Sequence, residues 1–367
     1  MQPVKYSRII GCLFLPLVTS CVSPLPPQSQ YIQNHNQTNS VPRNGIVIQW
    51  DDDGQKEQAT YINGVRNGLW IQCSKDGQKI AEGNYQLNQP EGEWNYWYKN
   101  GQKNSTVYYK NAKRDGLWRG WSEEGQPGWI IHYQDGNRHG VSTSWYNNRQ
   151  KSQETFYHQD KPNGASLRWY ENGQKLSEIV YQHGKPIGIE REWHQNGIKA
   201  AEGGYLKGKK DGEWRRWDVN GQVSQSGYYQ QGLQEGMWID YWPTRHLERL
   251  SGIYRKGQRE GVWLAWHQNG RLSEKMVYQQ GQLNGRWEYW NSHGIKTEEG
   301  EYLNGSPNGL WKRWYADGSP KSEGYLEQGI STGTWTYWSE DKTQKIQRFF
   351  DLGRQIIPEN VISLVGE

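Results

Sequence analysis

Six glutamates, Glu82, Glu154, Glu178, Glu202, Glu299 and Glu323, stand at one recurring position of this chain, and Lys79, Lys151, Lys175, Lys199 and Lys296 lie three residues before five of them. Carboxylates in pairs are the tools of glycoside hydrolysis, which needs two acids at a defined separation with one held protonated. A periodic row offers many equivalent acids and no distinguished pair. It reads instead as a solvated sheet face whose alternating charge discourages edge pairing. His194 and His267 invite a general-base or metal reading, yet both occupy the slot filled by Tyr98, Tyr146 and Tyr170, so they are aromatic substitutes. The sequence holds no C-x-x-C, H-x-x-x-H, G-x-S-x-G or phosphate-binding glycine loop. The expectation is a protein that is not an enzyme, with no cofactor and no metal site.

What positions these residues is a repeat. Gly68, Gly92, Gly116, Gly140, Gly164, Gly188, Gly212, Gly236, Gly261, Gly285, Gly309 and Gly333 follow one another at steps of 24 residues, with one step of 25. A first Trp stands two residues after nine of them, as at Trp70, Trp94, Trp118 and Trp214, and a second stands five after, as at Trp97, Trp121 and Trp193. With a shorter copy beginning at Gly45 there are thirteen copies, and 20 of the 22 Trp fall on this register. A short period sustained over most of a chain means stacked units, each burying its apolar face on its neighbours.

Within a copy, Asn172-Gly173 flanked by aromatic and apolar residues is a hairpin signal, and Gly three residues past Tyr, as in Tyr205 to Gly208, marks a second turn. Each copy is then two short strands, and the fold class is all-β, an elongated antiparallel meander of about thirteen 24-residue hairpin repeats. At strand spacing such an array would span about 125 Å. A two-residue turn at Asn172-Gly173 places Tyr170 opposite Lys175, Leu167 opposite Glu178 and Ser166 opposite Ile179. It also sets Trp70 against Gly83 and Trp311 against Gly324, each ring lying over its cross-strand glycine. The second Trp follows at an odd interval and should point to the other face, unless a bulge at the leading Gly brings both rows to one side.

Composition agrees with a chain held by aromatics. Mean hydropathy is −1.07, and only 4 Phe occur beside 22 Trp and 24 Tyr. Each Trp or Tyr buries a large area while freezing few torsions. The net charge of +4 comes from interspersed acids and bases, which gives no nucleic-acid footprint.

The N-terminus carries Lys5 and Arg8, an apolar run from Ile9 to Val18, then Val18-Thr19-Ser20-Cys21. The run is too short to span a bilayer and reads as a signal peptide over residues 1–20. Its end resembles the bacterial lipobox, which implies acylation of Cys21 and membrane attachment through that lipid. With no Asp after Cys21, the resemblance implies the outer rather than the inner membrane. Cys12 would leave with the signal, so no internal disulfide is expected at Cys73. Cys73 stands where eleven copies have Trp and one has Tyr241, a small core replacement. Residues 21–44, rich in Pro, Gln, Asn and Ser, read as a flexible tether. Residues 45–353 form the array. Residues 354–367, the most aliphatic stretch of the mature chain, form a cap or a docking tail.

The pattern G-x-W-x-x-W-Y-x-N-G-x-K-x-x-E-x-x-Y-x-x-G, running from about residue 45 to 353, resembles the MORN-repeat variant. That resemblance implies a scaffold for proteins or membranes, and bacterial arrays of the kind are often labelled as antitoxins of a toxin–antitoxin family. A secreted lipoprotein departs from the antitoxin setting, since such toxins are usually met in the cytoplasm.

One break in the pattern invites a site. The first Trp is replaced by Ser142, Ser166 and Glu190 in three successive copies, between Trp118 and Trp214. The loss would leave a polar notch about 30 Å long, unless Phe156 and Val180 fill it. The function expected is a non-enzymatic envelope lipoprotein whose array binds a partner protein. Glycan or peptidoglycan binding through exposed aromatics, and neutralisation of a toxin, are the alternatives.

Overall fold

The computed structural model describes residues 30–32, 43–51 and 53–356. Cys21 and most of the C-terminal tail lie outside the described residues. The chain divides into two units, residues 1–163 and 164–367. In each, strands pair antiparallel with their sequence neighbours in an open meander, without a second layer or a helix among the described residues. The described strands of the first unit run from Gln30–Ile32 to Lys151–His158; those lying wholly in the second run from Lys175–Gln182 to Arg354–Ile356. One parallel pairing joins Gln30–Ile32, in the segment expected to be a tether, to Asn44–Trp50 at the start of the array.

The register expected from sequence holds through most of each copy. Ser166 pairs with Ile179, Leu167 with Glu178, Trp70 with Gly83 and Trp311 with Gly324. The turns, however, are exchanged. At Asn172-Gly173 the loop holds three residues: Gly173 N–H donates to the Tyr170 carbonyl at 2.9 Å, and Tyr170 N–H donates to Gln174 at 2.9 Å. This is a tight turn closed by a glycine at φ 87°, the bulged type of three-residue hairpin. Tyr170 therefore faces Gln174 and not Lys175. A bulge between Arg168 and Trp169 then takes up the odd residue and returns the strands to the expected pairing. The true two-residue turn lies at the other end, where His183 and Gly184 have φ of 50° and 82°. Positive φ at both central residues makes a turn whose twist matches that of the strands.

A further bulge accompanies the leading glycine. Glu178 pairs with Arg191 but Val180 pairs with Ile187, leaving Gly188 within the irregular stretch. The other bulge, as between Tyr96 and Trp97, falls between the two Trp positions of a copy. The first Trp row joins the Tyr row in a ladder of edge-on rings. In the second unit it runs Tyr205, Trp214, Tyr229, Trp238, Tyr254, Trp263, Tyr278, with successive centroids 5.6, 5.8, 5.1, 6.0, 5.0 and 6.1 Å apart. In the first unit Trp70, Tyr85, Trp94, Tyr109, Trp118 and Tyr133 repeat the arrangement. Trp263, 2% exposed, is the most deeply buried of these rings.

The glycine covered by each ring is the one correction that matters for packing. Trp70 pairs with Gly83, yet the ring resting on Gly83 is that of Trp94. Gly324 is likewise covered by Trp335. Pairing register states which residues are opposite; it does not state which way an indole leans.

The second Trp row meets the lysines of the Lys–Glu row. The ammonium groups of Lys79, Lys175 and Lys199 lie 5.5, 5.2 and 5.3 Å from the ring centroids of Trp97, Trp193 and Trp217. The same lysines pair with Glu82, Glu178 and Glu202 at 2.6, 2.8 and 3.0 Å. The charge row thus also covers half-buried rings.

Candidate functional site

The tie between copies explains the histidines. Tyr170 donates its hydroxyl to the Trp193 carbonyl at 3.0 Å. His194 and His267 place Nε2 at 2.9 and 2.8 Å from the Trp217 and Trp290 carbonyls. All three do one structural task from one slot. Trp242, beside the inserted residue, fills that slot too, donating Nε1–H to Trp266 at 3.0 Å. Among the described residues, no group of three or more His, Cys, Asp or Glu is placed to hold a metal ion.

Cys73 is 2% exposed, buried in the slot that other copies fill with a second Trp.

The interrupted ladder falls in both units, and each holds its own part. In the first unit Ser142 pairs with Thr155, and its hydroxyl is buried without a hydrogen-bond partner. Trp118, at the ladder's edge, donates Nε1–H to the Tyr108 carbonyl at 3.0 Å and lies under Arg114, 5.8 Å away. In the second unit Ser166 is buried against Ile179. The filling residues are not the two expected. Phe156 and Val180 are 39% and 44% exposed, while Thr155 and Ile179 are buried. The alternation of side chains sends Phe156 and Val180 to the opposite face.

Glu190 and Trp214 come together across Gly203, which pairs with both. Tyr205 donates its hydroxyl to Glu190 at 3.1 Å. Burial, then the neighbouring Glu192 charge, pushes the Glu190 carboxyl above its ordinary range. Burial, then the Glu190 charge, likewise raises the Tyr205 phenol. Burial, then Arg216, lowers the Lys210 ammonium, which sits 3.9 Å from the Trp214 ring centroid. The pocket left by a missing ring is therefore occupied by a desolvated polar cluster.

The opposite face carries residues that sequence reasoning passed over. Met237 pairs with Ile253 and Val262 with Val277; Met237, Ile253 and Val262 are 55%, 45% and 48% exposed. Val180, Ile189, Leu310, Tyr325 and Phe349 continue this pattern of exposed apolar residues in the second unit. The position mixes apolar and charged residues along the chain, as in Glu213, Met237, Val262 and Arg286. No single residue type recurs, so the row hides among conspicuous tryptophans. Its signal is exposure of contiguous apolar surface.

No curated protein matches the chain. Among solved structures it is similar to "Crystal Structure of TcdB2-TccC3", at TM-score 0.17 and 10% identity over 84% of this chain and 18% of that one. It is also similar to the complex with Cdc42, at TM-score 0.16 and 11% identity over 82% and 18%. The chain thus spans 18% of the length of those structures' chains. The family model of the MORN repeat variant matches residues 90–111, 162–183 and 307–328. Each match begins two residues before a leading glycine (Gly92, Gly164 and Gly309) and ends within a two-residue turn. The hairpin and bulges of the matched stretches recur between and beyond them, which supports an array of MORN repeat variants.

Proposed function

We propose that this repeat scaffold binds a partner protein on the face opposite the aromatic ladder, and that it does so at the cell envelope, held by acylation of Cys21. Arrays of MORN repeats are scaffolds that bind proteins or membranes. The observation that carries the protein reading is the exposed apolar set at Met237, Ile253 and Val262. Ion pairs such as Arg249 with Asp240 at 2.6 Å and Arg286 with Glu299 at 2.9 Å lie in the same part of the unit. Apolar surface amid a polar surround is the anatomy of a protein interface. The lipobox and the absence of Asp after Cys21 favour the outer membrane as the site of attachment.

The test is affinity capture from detergent-solubilised envelopes, comparing the native chain with an Ile253→Asp, Val262→Asp variant. Both positions are exposed, so the variant should unfold at the native temperature. Capture of one stoichiometric protein by the native chain alone is the expected result. Equal recovery by both chains would refute the assignment to this face.

A further inference from the structure

Trp129 and Trp242 are the two tryptophans off the repeat register, and Trp242 has a structural slot of its own. Trp129 has none. Its row in the first unit otherwise holds Glu57, Ala81, Ser105 and Gln153, none of them aromatic. Across from it stands Gly120, paired with both Trp129 and Ser105. A Cβ at residue 120 would lie 2.2 Å from the Trp129 ring. The ring-over-glycine device of the ladder is thus built a second time, in a row where other copies do without it. Two coordinated departures at one place, not needed for the hairpins on either side, mark a site.

Together they wall a cleft of about 450 Å³ on the ladder side, lined by Tyr96, Trp97, Tyr109, Trp118 and Trp129. Ser105 and Val107, both buried, form its base, and Ile80 and Asn104 complete it. No charged residue lines this cleft, whereas the neighbouring one of about 570 Å³ is lined by Glu93, Lys103 and Arg119.

We propose that this cleft binds a neutral saccharide. Indole and phenol faces are electron-rich and pack against the C–H face of a sugar ring. Asn104, Ser105 and the Tyr96 and Tyr109 hydroxyls supply the few polar groups that fix orientation in such pockets. The uncharged lining disfavours polyanions and ionic headgroups, which need a countercharge when desolvated. A peptide strand would need unpaired backbone groups at a sheet edge, and the strands here are paired on both sides. The site lies in the first unit and the proposed protein-binding residues lie in the second, so either assignment can fail alone.

The experiment is titration of the full chain with cellotetraose, maltotetraose and chitotetraose, followed by tryptophan emission and calorimetry. Heparin tetrasaccharide and laurate serve as charged and apolar probes. At least one neutral tetrasaccharide should bind saturably, and Trp129→Ala should weaken it about tenfold, the loss of one aromatic contact. Asn104→Asp leaves every ring in place and adds a charge to the lining, so it should weaken the same ligand in a chain of unchanged thermal stability. Absence of saturable binding by all three neutral sugars, tighter binding of heparin or laurate, or binding indifferent to Asn104→Asp would each overturn the assignment.

Discussion

The indole of Trp214 lies on Gly203 so closely that a Cβ at residue 203 would sit 2.0 Å from ring carbon Cδ2. The same contact recurs at Gly227 under Trp238 and Gly252 under Trp263. Gly203→Ala should therefore cost about 1–3 kcal/mol through overpacking. In denaturant titrations, adding Trp214→Ala to it should cost less than the two single changes combined, because the collision is then gone. Simple additivity would show that the ring and the glycine are not coupled.

Ile179 holds, ahead of Glu190, the position that Gly203 holds ahead of Trp214. Restoring the ladder thus takes a pair of changes. Glu190→Trp alone should destabilise the second unit, whereas Glu190→Trp with Ile179→Gly should be favourably coupled by about 1–3 kcal/mol in a double-mutant cycle. A stable single variant would show that the site can accept a ring without the exchange of volume.

The Glu190 carboxyl, raised by burial and by Glu192, faces Tyr205, Lys210 and Arg216 as well. A raised acid in the folded state contributes stability that is present at low pH and is lost as pH rises through its folded value. Glu190→Gln should consequently raise the melting temperature at neutral pH and leave it nearly unchanged below the ordinary glutamate range. A difference of the same size at both pH values would place its cause outside this ionisation.

Rows should matter more than residue types. Trp263→Ala, at a ring 2% exposed, should cost about 3–5 kcal/mol. His267→Ala gives up one hydrogen bond to Trp290 and should cost about 1 kcal/mol. Trp290→Ala should fall between them, since that ring is half-buried and lies under Lys296. Chemical denaturation of the three variants ranks them directly, and a His267 variant as damaging as Trp263→Ala would contradict the slot assigned to it.

Cys21→Ala should release the chain from membranes, if acylation there is what holds it. Fractionation after a high-salt wash is the readout, and a variant that still sediments with the membrane would count against the lipobox reading.

The repeat period, the all-β hairpins and the pairing of Ser166 with Ile179 were legible because glycine and tryptophan recur on a fixed count. The turn at Asn172-Gly173 was legible in place but not in length, since one glycine at positive φ serves both two- and three-residue loops. The covering of Gly83 by Trp94 was hidden because ring lean is a property of rotamers and not of register. At the candidate sites, the notch at Ser142, Ser166 and Glu190 was visible as an absence. Its filling by Thr155 and Ile179 needed the faces to be known. Trp129 was countable as an exception, but its meaning rests on Gly120, which looks ordinary until the strands are paired.

The ties between copies are short in sequence, as when Asn269 reaches the Ser292 carbonyl at 2.7 Å or Gly305 N–H reaches Leu283 at 2.8 Å. Among the described residues the copies close their contacts on sequence neighbours, so loop-closure entropy stays small. Excising residues 212–235 would bring Trp238 to the place of Trp214, above Gly203, with every turn and bulge still in phase. Copy number is then a parameter such a chain can change by whole units, lengthening or shortening its surface without redesigning its interior.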